Sequence, residues 1–241
     1  MVLPDLELEL APGVKVEFVK VPAGEFLMGS DKRNDPYCAI NETPQFKISL
    51  EEYWIGKYPV TNLQFWTFDP ESRKYSGDKD RPDAERLPMT GMYLKWAIKF
   101  CDWASEKTGR IIRLPNEPEW EKAARGTDGR IWPWGNNPPN GTLCNFAGSG
   151  IRDTTPVGRY SPQGDSPYGC ADIAGNVFEL TRSLERRYPY AKNDGREDLN
   201  AHSGLYIVRG GYHSFAANMI RCAVRWSGVQ SSTGFRLVMQ S

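Results

Sequence analysis

The fold is decided by one stretch near the carboxyl end of the chain, which reads Val208-Arg-Gly-Gly-Tyr-His-Ser-Phe-Ala-Ala-Asn-Met-Ile-Arg-Cys-Ala-Val-Arg-Trp-Ser-Gly-Val-Gln-Ser-Ser-Thr-Gly-Phe-Arg236. Three short pieces within it, Arg-Gly-Gly, Arg-Cys-Ala-x-Arg and Gly-Phe-Arg, alternate with runs of aromatic, small and polar residues that follow no packing period. This mixture is typical of a rigid frame that carries a contact surface. We expect Gly210 and Gly211 to permit a tight turn or a close backbone approach just before that surface.

Upstream of this stretch, strand-like and helix-like segments are grouped rather than alternating. Residues 5 to 10 and 14 to 21 alternate apolar with polar side chains, which predicts strands that expose one face. Thr61 and Asn116 are predicted to cap two helices, and residues 92 to 107 have the apolar spacing of an amphipathic helix. This order disfavours a doubly wound parallel sheet and predicts an α+β fold.

The remaining regions favour loops over long elements. Residues 69 to 87 are charged and poor in apolar groups, which predicts an exposed loop. With 23 glycines, 18 prolines and eight tryptophans, the chain has the composition of short elements joined by many turns. No linker is recognisable, so residues 1 to 241 are predicted to form one loop-rich domain with two main helices and short, mostly antiparallel strands.

The composition also limits which partners and which cellular location are expected. Thirty basic and thirty acidic residues give no net charge, so we expect no nucleic-acid partner. The chain has no 18-residue apolar run and no signal-like start, which predicts no membrane insertion and a cytoplasmic location, with display through a partner left open. Five cysteines without C-x-x-C spacing are expected to be reduced, buried thiols.

Ordered motifs along almost the whole chain resemble the formylglycine-generating-enzyme, or sulfatase-modifying-factor, family. The resemblance spans roughly residues 16 to 239 and implies a C-type-lectin-like fold. Besides the carboxyl-terminal frame, its motifs are Val21-Pro-Ala-Gly-Glu-Phe-Leu-Met-Gly-Ser30, Glu42-Thr-Pro44, Lys57-Tyr-Pro-Val-Thr-Asn62, Thr108-Gly-Arg-Ile-Ile-Arg-Leu-Pro-Asn-Glu-Pro-Glu-Trp-Glu-Lys-Ala-Ala-Arg-Gly126, Trp132-Pro-Trp-Gly135, Thr155-Pro-Val-Gly158 and Tyr168-Gly-Cys-Ala-Asp-Ile-Ala-Gly-Asn-Val-Phe-Glu179.

The resemblance implies structural calcium. Calcium prefers oxygen ligands, and the segment from 172 to 179 is rich in carboxylates and carbonyls. The implied ligands of a first site are Asp172, Gly175, Val177 and Glu179, the two middle ones through their carbonyls. A second implied site uses Asn145 and the carbonyl of Phe146, with Asp153 as a partner. The alternative is that Asp172 and Glu179 cap turns and pair with Arg182.

Active members of the family bind copper through two cysteines that follow the Arg-Gly-Gly frame. In this sequence the first of those positions falls at Phe215, and the second falls in a stretch, residues 216 to 220, without a thiol. Cu(I) needs soft thiolate ligands, so no copper is expected. Cys222 matches another position of the family, where we expect it to pack. With only His202 and His213 in the chain, catalytic zinc or iron is not expected either.

The residues that interrupt the frame are rings and small polar side chains, which are also the residues that antibody-like contact surfaces use. The layout of frame and surface also resembles variable proteins of diversity-generating retroelements, which carry randomised residues on this same fold. The predicted ligand-binding residues are Tyr212, His213, Ser214, Phe215, Val224, Trp226, Ser227, Gly228, Val229, Gln230, Ser231 and Ser232.

Three functional hypotheses remain open. The first is a non-catalytic protein that binds an unknown protein or other macromolecule through residues 212 to 232, a surface that either a retroelement or ordinary drift has diversified. The second is an oxidative or protein-modifying enzyme of the same family that uses Tyr212, His213, Arg225 or Trp226. The third is a regulatory module that contacts another protein through residues 69 to 87. The first is preferred because it explains both the rings and the missing thiols.

Overall fold

The computed structural model describes residues 6–200 and 204–240. Within these ranges it contains three sheets and three α-helices. The strands are β1 (Leu6–Ala11), β2 (Val14–Val21), β3 (Gly24–Met28), β4 (Phe46–Leu50), β5 (Tyr53–Gly56), β6 (Ile112–Arg113), β7 (Phe178–Leu184), β8 (Tyr206–Arg209), β9 (Trp226–Ser227), β10 (Thr233–Phe235) and β11 (Val238–Gln240). The helices are α1 (Asn62–Phe68), α2 (Leu94–Thr108) and α3 (Glu117–Arg125).

The largest sheet has five antiparallel strands in the order β1-β2-β5-β11-β6, and it packs against α1 and α2. Rings fill the space between them, since Phe65 stacks on Phe100 at 5.8 Å between centroids and Phe235 meets Phe100 edge-on at 5.4 Å. Because Phe235 belongs to the Gly-Phe-Arg piece of the frame, the carboxyl-terminal stretch is anchored directly in this core.

The predicted helix caps are confirmed. Thr61 accepts a hydrogen bond from the backbone of Gln64, and Asn116 accepts one from the backbone of Glu119, each within a complete capping box. Helix α3 is buried along its whole length, and its Trp120 donates to Glu179 of β7 across 2.7 Å. This contact therefore ties α3 to β7, the strand beside which the carboxyl-terminal stretch begins.

A second sheet, in the order β10-β7-β8-β9, positions the predicted contact surface. Strand β10 runs parallel to β7, whereas the β7–β8 and β8–β9 pairs are antiparallel. The long connection from β8 to β9 and the shorter one from β9 to β10 carry the runs between the frame pieces. The α+β, loop-rich prediction with mostly antiparallel strands is confirmed.

The exposed-loop prediction for residues 69 to 87 is correct only in part. Two 3₁₀ helices, Pro70–Tyr75 and Ala84–Arg86, interrupt the segment, and Leu87 is fully buried. The buried side-chain amide of Asn62 explains this inward turn, because it donates to the carbonyl of Ala84 across 2.9 Å.

Among the described helices, none combines the length and apolar character needed to cross a bilayer.

Candidate functional site

Buried ion pairs fix the frame. Arg209 of the Arg-Gly-Gly piece reaches Glu117 and Glu121 of α3, and it donates to the carbonyl of Cys222 across 2.8 Å. Arg225 holds the same Glu117 with two hydrogen bonds of 2.5 and 3.0 Å. Nearby carboxylates raise the pKa of Arg209 above its usual value despite its burial, which acts in the opposite direction. Both guanidinium groups are therefore charged and committed to the scaffold.

The other two frame arginines are committed in the same way. Arg221 makes a two-pronged pair with Glu42, at 2.7 and 2.9 Å, and also contacts Asp35. Arg236 binds Glu179, with one Nη2–Oε1 distance of 2.6 Å. Buried pairs of this kind leave an uncompensated charge when one partner is removed. The four arginines of the frame are thus structural residues.

Two glycines start the contact surface. Gly210 and Gly211 adopt φ values of 86° and 71°, which other residues rarely adopt. A Cβ atom on Gly211 would lie 2.8 Å from the carbonyl oxygen of Met219, and one on Gly210 would lie 3.2 Å from the Trp120 ring. Of the two predicted roles, a tight turn or a close backbone approach, the close approach is confirmed.

A ladder of aromatic rings rises from the core to the surface. The buried Phe178 contacts Tyr212 at 5.3 Å and Phe215 at 5.1 Å between centroids. Phe215 in turn contacts Tyr212 at 4.5 Å and Trp226 at 5.6 Å. Tyr212 and Phe215 are half-buried, whereas Trp226 is 39% exposed. Tyr212 and Phe215 are therefore supported by the buried Phe178, whereas Trp226 packs on Phe215 and is partly exposed to solvent.

Most of the predicted contact residues reach the surface. Ser214, Gln230 and Ser231 are exposed, and the partly exposed members are His213, Ser227, Gly228, Val229 and Ser232. Val224 is the exception, because only 4% of it is exposed. It lies inside the Arg-Cys-Ala-x-Arg piece, where its amide donates to the carbonyl of Arg221 across 3.1 Å. Assigning Val224 to the surface was wrong.

His213 is a partly exposed histidine whose pKa is lowered, which favours the neutral form of its ring. Its Nδ1 lies 2.9 Å from the Ser214 hydroxyl, and its amide donates to the Asn176 carbonyl. Partial burial lowers its pKa, and the Asp153 carboxylate opposes that effect. No group of three or more histidine, cysteine or acidic side chains forms a cluster suited to a metal in the described ranges. His202 lies outside those ranges.

The loop from Gly228 to Ser232 is held mainly by its backbone, and of its side chains Val229 packs against the core. The carbonyl of Ser231 accepts from the amide of Gly91, and that of Ser232 accepts from the amide of Phe178. The amide of Gly228 donates to the carbonyl of Tyr206 across 3.1 Å. Since these bonds use main-chain atoms, the exposed side chains of Gln230 and Ser231 can vary without loss of them.

The segment implied to bind calcium is only partly suited to that role. Both carboxylate oxygens of Glu179 are taken, because Arg236 binds the two of them and Trp120 donates to one. Glu179 is therefore a partner of the frame, and its pairing is with Arg236 and not with Arg182. Asp172 accepts from the Gly158 amide at 2.6 Å, and burial raises its pKa to about 7.

The second implied calcium site lies against the first. The Asn145 amide donates to the carbonyl of Asp153 at 2.7 Å and to the side chain of Asn176 at 3.1 Å. The Asp153 carboxylate itself pairs with Arg81. A Cβ atom on Gly175 would lie 2.1 Å from the Asn145 carbonyl oxygen, so this glycine permits the close approach. The backbone of Phe146 accepts a hydrogen bond from Ser149. The calcium assignment stays a prediction.

All five cysteines are free and buried. Burial is the main cause that raises the pKa of Cys222 and of Cys144 to about 12, and that of Cys170 to about 11. Thiols with such values are protonated at neutral pH, and a thiolate is the form that binds soft metals. At the position where the family carries its first copper cysteine, Phe215 presents a ring packed between Phe178 and Trp226.

Sequence reasoning missed two residues that support the surface. Phe178 lies within the motif assigned to calcium, yet its ring is the base of the aromatic ladder. Asn176, at a φ of 62°, links that motif to the surface through its carbonyl bond to His213. The available sequence signal was the asparagine directly after Gly175, because asparagine is enriched in the left-handed conformation that this residue adopts.

Comparison with known proteins agrees with this architecture. The family described as "Sulfatase-modifying factor enzyme 1-like domain" matches residues 10–241. The chain is 29% identical to a hercynine oxygenase of Mycolicibacterium smegmatis, over 89% of its own length and 58% of that protein's. It therefore spans less than two thirds of the length of that relative.

Two solved structures share the fold along essentially the whole chain. PvdO from Pseudomonas aeruginosa superimposes with a TM-score of 0.80 at 22% identity, covering 100% of both chains. The Treponema denticola variable protein 1 superimposes with a TM-score of 0.78 at 20% identity, covering 99% of this chain and 100% of its own. The fold is thus the C-type-lectin-like fold of formylglycine-generating enzymes. This chain belongs to the sulfatase-modifying factor family.

Proposed function

We propose that this protein is a non-catalytic binding protein that recognises a protein or other macromolecule through the contact surface formed by residues 212 to 232. The observation that carries the proposal is the aromatic ladder, in which Trp226 is exposed above half-buried rings and a buried Phe178. Rigid rings bind with little loss of conformational entropy, and exposed small polar residues supply adaptable hydrogen bonds.

The frame supports the same proposal. Arg209, Arg221, Arg225 and Arg236 are each held by buried carboxylates, whereas the loop that contains Gln230 and Ser231 is held through its backbone. A scaffold that does not depend on its surface side chains tolerates their exchange. This separation is what a retroelement-diversified protein requires, and the solved variable protein from Treponema denticola shares the fold.

Loss of the thiol pair argues against the copper chemistry of the family. Phe215 has no atom that can bind copper, and the described thiols are buried. Of the groups considered for catalysis, Arg225 is bound to Glu117 and to the carbonyl of Asn41. Of these groups, His213, Tyr212 and Trp226 remain accessible. Their rings offer an area for contact with a partner but form no arrangement of paired acids and bases for proton transfer.

A second candidate is an oxidative enzyme that uses the same cleft. The similarity to a hercynine oxygenase over 89% of this chain favours it. In that case His213, with its lowered pKa and its contact to Ser214, is the group best placed to accept a proton. An oxygen-electrode trace with hercynine or with a cysteine-containing peptide separates the two candidates. Consumption that is lost in His213→Ala would establish the enzyme.

The binding proposal is tested by capture from extracts of the source cells. Immobilised protein and its Trp226→Ala variant are compared, with Ile111→Ala as a control because Ile111 is an exposed apolar residue between α2 and β6, outside the contact surface. We expect one or more proteins retained by the wild type and by the control but lost with Trp226→Ala. Equal retention by all three proteins would refute the contact surface. A reverse transcriptase gene with a near-copy of the final coding segment beside this gene would establish diversification.

A further inference from the structure

A cavity beside the contact surface is unexplained by the proposed function. It has a volume of about 520 Å³ and lies between the 3₁₀ helix Pro70–Tyr75, the turn that leads into α2, and Ser231. Small-molecule sites commonly have about 300–1,000 Å³. The segment from 69 to 87, which sequence analysis assigned to an exposed charged loop, supplies one wall.

Three exposed rings line this one cavity. Tyr75 is 88% exposed, Tyr93 is 66% exposed and Trp96 is 42% exposed. Single exposed rings are ordinary, but rings gathered around one concave site mark a binding surface. Phe65 and Met92, which belong to the core, form an apolar floor beneath them.

The charge of the lining has one sign. Asp69 and Glu71 contribute carboxylates, and neither lysine nor arginine is found among the residues that line the cavity in the described chain. Lys74 pairs with Glu71 from outside, but both side chains are well exposed, so the pair is weak and readily displaced. The carboxyl end of α1 carries a partial negative charge and the amino end of α2 carries a partial positive charge. Both ends meet the cavity, so their effects on a bound cation oppose each other.

Rings and carboxylates together select an organic cation. An aromatic face attracts an ammonium or guanidinium group, and the ring of Trp96 already does so, since the Lys99 ammonium lies 4.7 Å from its centroid. A bare metal cation would leave the apolar floor without contacts. Alkyl groups on the cation would cover that floor.

We propose that this cavity binds an alkylated ammonium or guanidinium group. The group belongs either to a free small molecule or to a side chain of a bound macromolecule. Ser231 lies on the rim and its carbonyl accepts from Gly91, so the cavity adjoins the contact surface. The inference does not depend on the proposed function, because a free cation is sufficient to test it.

The test uses choline and its neutral isostere, 3,3-dimethylbutan-1-ol. The indole N–H of Trp96 is followed by two-dimensional NMR and assigned with Trp96→Phe. We expect a saturable shift with choline, at constant ionic strength, and binding of the alcohol about 5- to 30-fold weaker. Equal binding of both compounds, or no saturable shift with choline, would overturn the proposal.

Variants locate the site. Glu71→Gln and Tyr75→Ala should each weaken choline binding about threefold or more. Glu25→Gln is the matched control, because Glu25 also belongs to an exposed lysine pair, on β3. An equal effect of Glu71→Gln and Glu25→Gln would mean general screening and would also overturn the proposal. Short peptides with trimethyllysine or arginine, compared with choline, identify the source of the cation.

Discussion

Arg225 and Glu117 are 108 positions apart in the sequence and form a buried ion pair with two hydrogen bonds, from Nε to Oε1 at 2.5 Å and from Nη2 to Oε2 at 3.0 Å. The same Arg225 guanidinium lies 4.0 Å from the centroid of the Tyr188 ring. This contact connects α3 to the Arg-Cys-Ala-x-Arg piece and so fixes the base from which Trp226 projects.

Removing this arginine should destabilise the protein strongly. Arg225→Ala leaves the buried Glu117 carboxylate with one guanidinium fewer, and we expect a loss of about 3–5 kcal/mol in the free energy of unfolding. Urea titration followed by fluorescence measures it. Arg33→Ala is the control, because Arg33 pairs with Asp31 at an exposed site, where solvent screens the pair and its removal should have little effect on the free energy of unfolding. Similar losses in the two variants would contradict the structural role of the frame.

The two outer rings of the ladder should behave differently. Trp226→Ala should change the free energy of unfolding by less than about 1 kcal/mol, because its ring is partly in solvent. Phe215→Ala removes a half-buried ring that packs against Phe178, and it should cost about 1–3 kcal/mol. Thermal and urea unfolding measure both. A larger loss for Trp226 than for Phe215 would place Trp226 in the core.

The thiols should be inert in the folded protein. All five are buried, and Ellman's reagent should label them only after denaturation. Because the folded pKa of Cys222 is raised to about 12 from an ordinary value of 9.0, the unfolded chain loses the thiol proton first as the pH rises. The contribution of this group to stability is thus present below about pH 9 and is lost as the pH rises above it. A Cys222→Ser variant should lose part of this alkaline dependence, and rapid labelling of the native protein would contradict the burial.

Calcium should act through Asp172 and not through Glu179. A chelator should lower the melting temperature of the wild type, and Asp172→Asn should remove that response. Glu179→Gln should lower the melting temperature with and without calcium, because it weakens the pair with Arg236. Differential scanning calorimetry measures these shifts. An identical melting temperature of the wild type with calcium and with chelator would exclude a structural calcium ion.

The sequence predicted local structure better than long-range contacts. The caps at Thr61 and Asn116 are local patterns, and both form as expected. The pairing of Arg225 with Glu117 spans 108 positions and has no local signature. Val224 was misassigned to the surface, although it is 4% exposed and lies next to the buried Arg225. The fold could be inferred from the ordered motifs. The ladder of rings could not, because it depends on Phe178 and Phe215, which are distant in the sequence and in contact only in the folded structure.

The central claim is that the frame and the contact surface are separable, and selection from a displayed library tests it most directly. Six exposed or half-exposed positions are randomised, namely His213, Ser214, Trp226, Ser227, Gln230 and Ser231, and clones are selected for binding to hen lysozyme. We expect most clones to fold and the best selected ones to bind with dissociation constants of about 0.1 µM or lower, in the range of natural paratopes. A library that folds but yields no specific binder, or one in which most clones fail to fold, would contradict the claim.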